Sequence, residues 1–154
     1  MKAPISACLI VRNEEGSGLF EECLQSIRPF VEELVIVDTG STDGTPEIAQ
    51  RHADRFEVFT GCNDPESGAI NDFSLARNRS FDLATRPWVM WIDSDDVLAG
   101  GEHLAKLVQV GNANRGDRDC ATSSRTNTST TKAVVASVCT TANDSSRDGP
   151  RCGG

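Results

Sequence analysis

The run Ile5–Val11, ISACLIV, is apolar and rich in β-branched residues, without the polar alternation of a half-exposed strand. A strand of that kind is buried on both faces, the condition of a parallel sheet covered by helices. The next segments of the chain agree with it. Leu19, Cys23, Leu24 and Ile27 recur at helical spacing, and Pro29 closes that helix. Leu34–Val37 is a second buried strand ending at Asp38. Thr45 is placed to cap the next helix, with Pro46 in its first turn and Ile48 and Ala49 facing inward. Phe56–Thr60 reads as a shorter strand, Ser74–Ala84 as a helix and Trp88–Ile92 as a fourth strand. Strands alternating with helices predict βαβ units, a largely parallel sheet and the α/β class.

In such sheets ligands bind beyond the carboxyl ends of the strands, so the residues just after each strand matter most. The first strand is followed by Arg12-Asn13-Glu14-Glu15, the second by Asp38-Thr39-Gly40-Ser41-Thr42-Asp43-Gly44-Thr45, and the fourth by Asp93-Ser94-Asp95-Asp96. Any one cluster is explained by a solvated turn or a helix N-terminus. Three on one rim point to a site. The carboxylates of Asp93, Asp95 and Asp96 repel one another and call for a compensating cation. Hard oxygen ligands suit Mg²⁺ or Mn²⁺, which fill their remaining positions with water and substrate phosphate.

Charge and composition narrow the partners. The chain carries a net charge of −8 and no basic cluster, which argues against nucleic acid and against an anionic membrane surface. No apolar run approaches the roughly 18 residues of a membrane span, and Ile5–Val11 is too short for a signal-peptide core, so a cytoplasmic location is the default expectation. The cysteines Cys8, Cys23, Cys62, Cys120, Cys139 and Cys152 form no CxxC pair and read as free thiols, with Cys8 and Cys23 in the core.

Composition breaks sharply near residue 110. Residues 1–110 hold nearly all the large apolar side chains, whereas 111–154 contain no Leu, Ile, Phe, Met or Trp and carry a charge of +2. Such a segment buries too little apolar surface to offset its ordering entropy. The expected organisation is therefore a folded part over 1–110 and a disordered, out-of-frame or fused tail over 111–154, with Ala133–Val138 its one candidate strand.

The strings LIVRNEE, ELVIVDTGSTDGTPEIA, DFSLARNRS and WVMWIDSDD, in this order and spacing, resemble the bacterial family-2 glycosyltransferases over about residues 4–100. The resemblance implies the GT-A, Rossmann-like fold, truncated here, and a nucleotide-diphosphate sugar donor, a UDP-sugar foremost. It also implies a divalent metal (Mn²⁺ or Mg²⁺), inversion at the anomeric carbon, and a glycan, lipid or protein acceptor. By the same resemblance Asp38 accepts a hydrogen bond from the nucleobase, while Arg12, Asn13 and Glu14 line the nucleotide pocket. Asp93 meets the ribose, Asp95 the metal, Arg77 the nucleotide or diphosphate, and Asp96 is a metal or supporting ligand. The family's acceptor-activating base lies well downstream of the metal motif, and no residue here is nominated for it.

Two other readings compete. The string VDTGST matches the aspartic-protease pattern, but a capped helix follows it and βαβ units flank it. A binding module that holds a metal–nucleotide sugar without turnover is the second. Trp88 and Trp91 read as core or helix-packing residues, His52 and His103 as surface helix positions, and Arg77-Asn78-Arg79, resemblance aside, as a polar helix face.

Overall fold

The structure is a computed structural model that describes residues 1–113 and the segments 126–128, 131–133 and 137–140. Its main sheet has the order β3-β2-β1-β4-β7. The strands are β1 (Ala3–Val11), β2 (Val31–Asp38), β3 (Arg55–Val58), β4 (Trp88–Trp91) and β7 (Ser137–Thr140). The first four are mutually parallel, and β7 pairs antiparallel with β4. Strands β5 (Thr126–Thr128) and β6 (Thr131–Ala133) form a separate pair. These last three strands are the part of 111–154, apart from the end of a helix, that the structure describes. The expectation of a disordered tail otherwise lies outside the described residues.

The continuous apolar run of β1 has its explanation in the two layers that cover the sheet. Ala3, Ile5, Ala7, Leu9 and Val11 face helices α1 (Leu19–Ile27), α2 (Thr45–His52) and α4 (Leu104–Ala113), packing on Phe20, Leu24, Ile27, Ile48, Leu104 and Val108. Cys8 faces the other way, with Val35 and Val89, and is covered by Phe81 of helix α3 (Phe73–Leu83). Each large apolar side chain so buried contributes about 1.5–3 kcal/mol. Leu104 and Val108, four apart, dock α4, which runs past the compositional break at residue 110.

Several local expectations are corrected by packing. β1 starts at Ala3 and β2 at Val31, while β3 ends at Val58 because it lies at the sheet edge with Val58 exposed. Leu19 turns out of the core, and Phe20 takes the buried place instead. Thr45 is the first helical residue of α2 and not its cap: Asp43 Oδ1 accepts from the Thr45 N–H at 3.0 Å. Trp88 and Trp91 do lie on opposite faces, Trp88 in the larger core and Trp91 against the α3 layer. Asp38 ends a parallel strand that leads into a helix, an arrangement foreign to the all-β surroundings of the aspartic-protease motif, so that reading falls.

Candidate nucleotide-sugar site

The parallel strands β1, β2 and β4 end side by side, which brings Arg12, Asp38 and Asp93 to one rim of the sheet. Hydrogen bonds lace the first two loops together. Asn13, held at φ 53° in the left-handed region that Asn tolerates, donates its N–H to Ser41 Oγ at 2.9 Å and accepts the Thr42 N–H at 2.8 Å. Thr45, freed from capping, accepts the Glu14 N–H at 2.7 Å through its hydroxyl. The Gly44 N–H donates to Glu15 Oε2 at 2.7 Å, and a Cβ on Gly44 would stand 2.4 Å from the same carboxylate. The third loop joins them where Ser94 Oγ donates to Glu14 Oε1 at 2.8 Å.

Between the loops after β1 and β4 and helix α3 lies a cavity of about 540 Å³. Arg12 and Glu14 line it from the β1 loop, Phe73 and Arg77 from α3, and Trp91, Asp93, Ser94 and Asp95 from the end of β4. Asp38 and Asn13 do not. Asp38 is buried beneath its own turn, where it accepts the Gly40 and Ser41 N–H groups at 2.8 Å each and the Ser41 hydroxyl. Gly40 has φ 99°, a conformation the turn reserves for glycine. Both residues shape the rim without facing the cavity.

Asp93, Asp95 and Asp96 bring carboxylate oxygens within 4.8 Å of one another. Asp93 and Asp95 are exposed towards the cavity, whereas Asp96 is buried behind them and turns its N–H to the Asp93 carbonyl at 3.2 Å. The crowding is felt by a neighbour. Cys23, whose thiol donates to the Asp93 carbonyl at 3.4 Å, is pushed up to about 12 by burial and then by Asp96, Asp95, Asp93 and Glu14.

Two arginines, Arg12 and Arg77, also line the cavity. Among the described residues, Arg12 Nη1 and Arg77 Nε are buried yet lack any hydrogen-bond partner. The Arg77 guanidinium lies 3.9 Å above the Trp91 ring centroid. Arg79, two residues on, is spent differently, in a two-pronged pair with Glu57 at 2.6 and 2.8 Å that ties α3 to β3. Of the Arg77-Asn78-Arg79 run, Arg77 alone lines the cavity.

Sequence reasoning does not mark Trp91, Ser94 and Phe73 as site residues. The one signal it offers is the place of Trp91 two residues before the acidic cluster. His103 is a surface residue in a one-turn 3-10 helix, and no described helix is long and apolar enough to cross a membrane.

Residues 6–147 match the family described as Glycosyl transferase family 2. A TPR repeat-containing protein of Synechococcus elongatus is 38% identical over 96 residues, 62% of this chain and 21% of that protein. The SPbeta prophage-derived glycosyltransferase SunS of Bacillus subtilis is 32% identical over 106 residues, 69% of this chain and 23% of its own length. Among solved structures, glucosyl-3-phosphoglycerate synthase from Mycobacterium tuberculosis, in complex with Mn²⁺ and UDP-glucose, matches with a TM-score of 0.55. It is 29% identical and covers 74% of this chain and 41% of that one. The chain thus spans less than a quarter of the length of these two curated relatives. With the sheet order, the ordered motifs at the strand ends and a match from residue 6 to residue 147 in agreement, the chain belongs to glycosyl transferase family 2.

Proposed function

We propose that residues 1–110 are the nucleotide-sugar-binding part of a metal-dependent, inverting glycosyltransferase of bacterial, cytoplasmic type. It passes a sugar from a nucleotide diphosphate, a UDP-sugar foremost, to a glycan, lipid or protein hydroxyl. One observation carries this reading: a single cavity is lined by the guanidinium side chains of Arg12 and Arg77 and by the crowded carboxylates that follow β4. A nucleoside diphosphate with a divalent cation answers both demands at once. Its phosphate oxygens accept from Arg12 and Arg77, and Asp93 and Asp95 hold the cation, with Asp96 behind them. A cation alone leaves the two arginines unanswered, and an anion alone meets the crowded carboxylates.

The donor set fits Mn²⁺ or Mg²⁺, being hard oxygens close enough to share one ion. Bound there, the metal would neutralise the charge that develops on the departing diphosphate. Glu14, fixed by Ser94, lines the cavity and in this reading belongs to the nucleotide's pocket. A nucleobase contact from Asp38 requires the Asp38–Ser41 contact to open. The Mycobacterium tuberculosis structure, bound to Mn²⁺ and UDP-glucose, supports the choice of ligand.

Calorimetric titration of the chain with UDP-glucose and other nucleotide sugars, with Mn²⁺ and with chelator, tests the reading. Binding is expected with metal, with most of it lost in chelator and in Asp95→Ala or Asp93→Ala. Equal affinity in chelator would refute the metal-dependent site. Release of nucleoside diphosphate with an acceptor separates a transferase from a module that binds without turnover.

A further inference from the structure

We propose that Trp91 is the positioning residue for Arg77: its ring fixes the guanidinium at the wall of the cavity, where it meets an acceptor oxygen of the bound nucleotide. The inference rests on the donor-site reading and deepens it.

The strand sets the ring. Trp91 pairs through its backbone with Cys8 of β1 on one side and Ser137 of β7 on the other, which holds it on the face covered by α3. The helix sets the cation. Arg77 lies one turn before Phe81, the residue that packs α3 onto that same face, so its side chain runs over the ring and not into solvent. The guanidinium lies 3.9 Å from the ring centroid, and both residues line the cavity.

Stacking uses the flat face of the guanidinium and leaves its N–H bonds free in the plane. One of them, Nε–H, is buried without a partner. An arginine on a flexible stem loses rotamer freedom when it meets a ligand, and a ring that holds it beforehand removes part of that loss. Trp91 therefore acts through Arg77 and need not touch the ligand.

The test is a double-mutant cycle on the full chain, read by titration with UDP, GDP and dTDP, each with Mn²⁺, followed with the tightest of the three. Trp91→Leu is expected to weaken binding roughly tenfold, the scale of a partly desolvated cation–π contact. Trp91→Phe, which keeps a ring, should stay within about threefold of the wild type. Trp91→Leu added to Arg77→Met should cost nothing beyond Arg77→Met alone. A merely structural role would weaken binding equally in both backgrounds, and that outcome overturns the inference, as does an unchanged affinity in Trp91→Leu. Should Trp91→Leu fail to fold by circular dichroism, Trp91→Met, bulky but without a π-face, takes its place in the cycle. If the wild-type chain binds none of the three nucleotides, the donor-site reading falls and takes this inference with it.

Discussion

Ser94 donates its hydroxyl to the Glu14 carboxylate at 2.8 Å, joining the acidic loop after β4 to the loop after β1 across 80 residues of chain. Ser94 stands between Asp93 and Asp95, so this bond sets the position of two carboxylates at once. Ser94→Ala is expected to lower stability by about 1.5–3 kcal/mol, the scale of one hydrogen bond to a charged partner. It should also weaken Mn²⁺-dependent nucleotide binding by more than Ser67→Ala does, since Ser67 holds a loop outside the cavity through Asp64. Urea denaturation and calorimetry check the two effects. Equal binding in the two variants would mean that the clasp does not set the acidic loop.

Acid stability should depend on Glu33. This buried carboxyl is pushed up by burial, but hydrogen bonds from Ser6, from the Thr85 backbone and hydroxyl, and from Arg55 outweigh that and hold it below its ordinary value. A carboxylate lowered in this way stabilises the fold fully above its unfolded pKa, about 4.3. The contribution is lost as pH falls through the lower folded value. Glu33→Gln should therefore be less stable than the wild type at neutral pH, with the gap narrowing below about pH 4.5. Denaturation midpoints followed from neutral to acid pH measure it, and a constant gap would assign the effect to packing.

Gly101 packs where no side chain fits. A Cβ there would stand 2.2 Å from Phe30 Cδ2 and 2.6 Å from Phe30 Cγ, and a ring cannot yield as the end of a flexible chain does. Gly101→Ala should cost about 1–3 kcal/mol in stability, the usual penalty for overpacking. Gly16→Ala, with nothing within 4 Å, is the control and should cost far less. Thermal melts of the two variants decide, and similar melting points would show that the segment before α4 shifts freely.

The thiols of Cys8 and Cys23 should resist alkylation in the native chain. Burial pushes both up, Cys23 to about 12, and the neighbouring carboxylates of Asp96, Asp95, Asp93 and Glu14 push Cys23 further in that direction. The thiolate is the nucleophile, so at about pH 8 neither should react until the chain unfolds. Mass spectrometry after iodoacetamide treatment, with and without denaturant, reads this directly. Prompt native labelling of Cys23 would mean that the acidic loop opens readily.

Much of this architecture was legible in one dimension because burial is written in local periods. ISACLIV had to be a strand covered on both faces, and its alternate residues do pack into two different layers. Leu19 misled because the turn before α1 leaves it at the cavity mouth, where Phe20 covers the core in its place. The placing of Arg12, Asp38 and Asp93 on one rim followed from parallel strands ending together, which strand order decides and residue patterns predict. Which of the rim residues turn inward was not legible. Asp38 and Asn13 are taken up by partners in the turn after β2, and those of Asn13 lie 28 and 29 residues away. Arg77 faces the cavity because α3 crosses above Trp91, and Arg79 does not because Glu57 on β3 holds it. The sequence alone determined where polar groups gather, since backbone periodicity is local. The tertiary structure decided which of them stay available to a ligand, since a donor or acceptor is free only when no distant loop has reached it first.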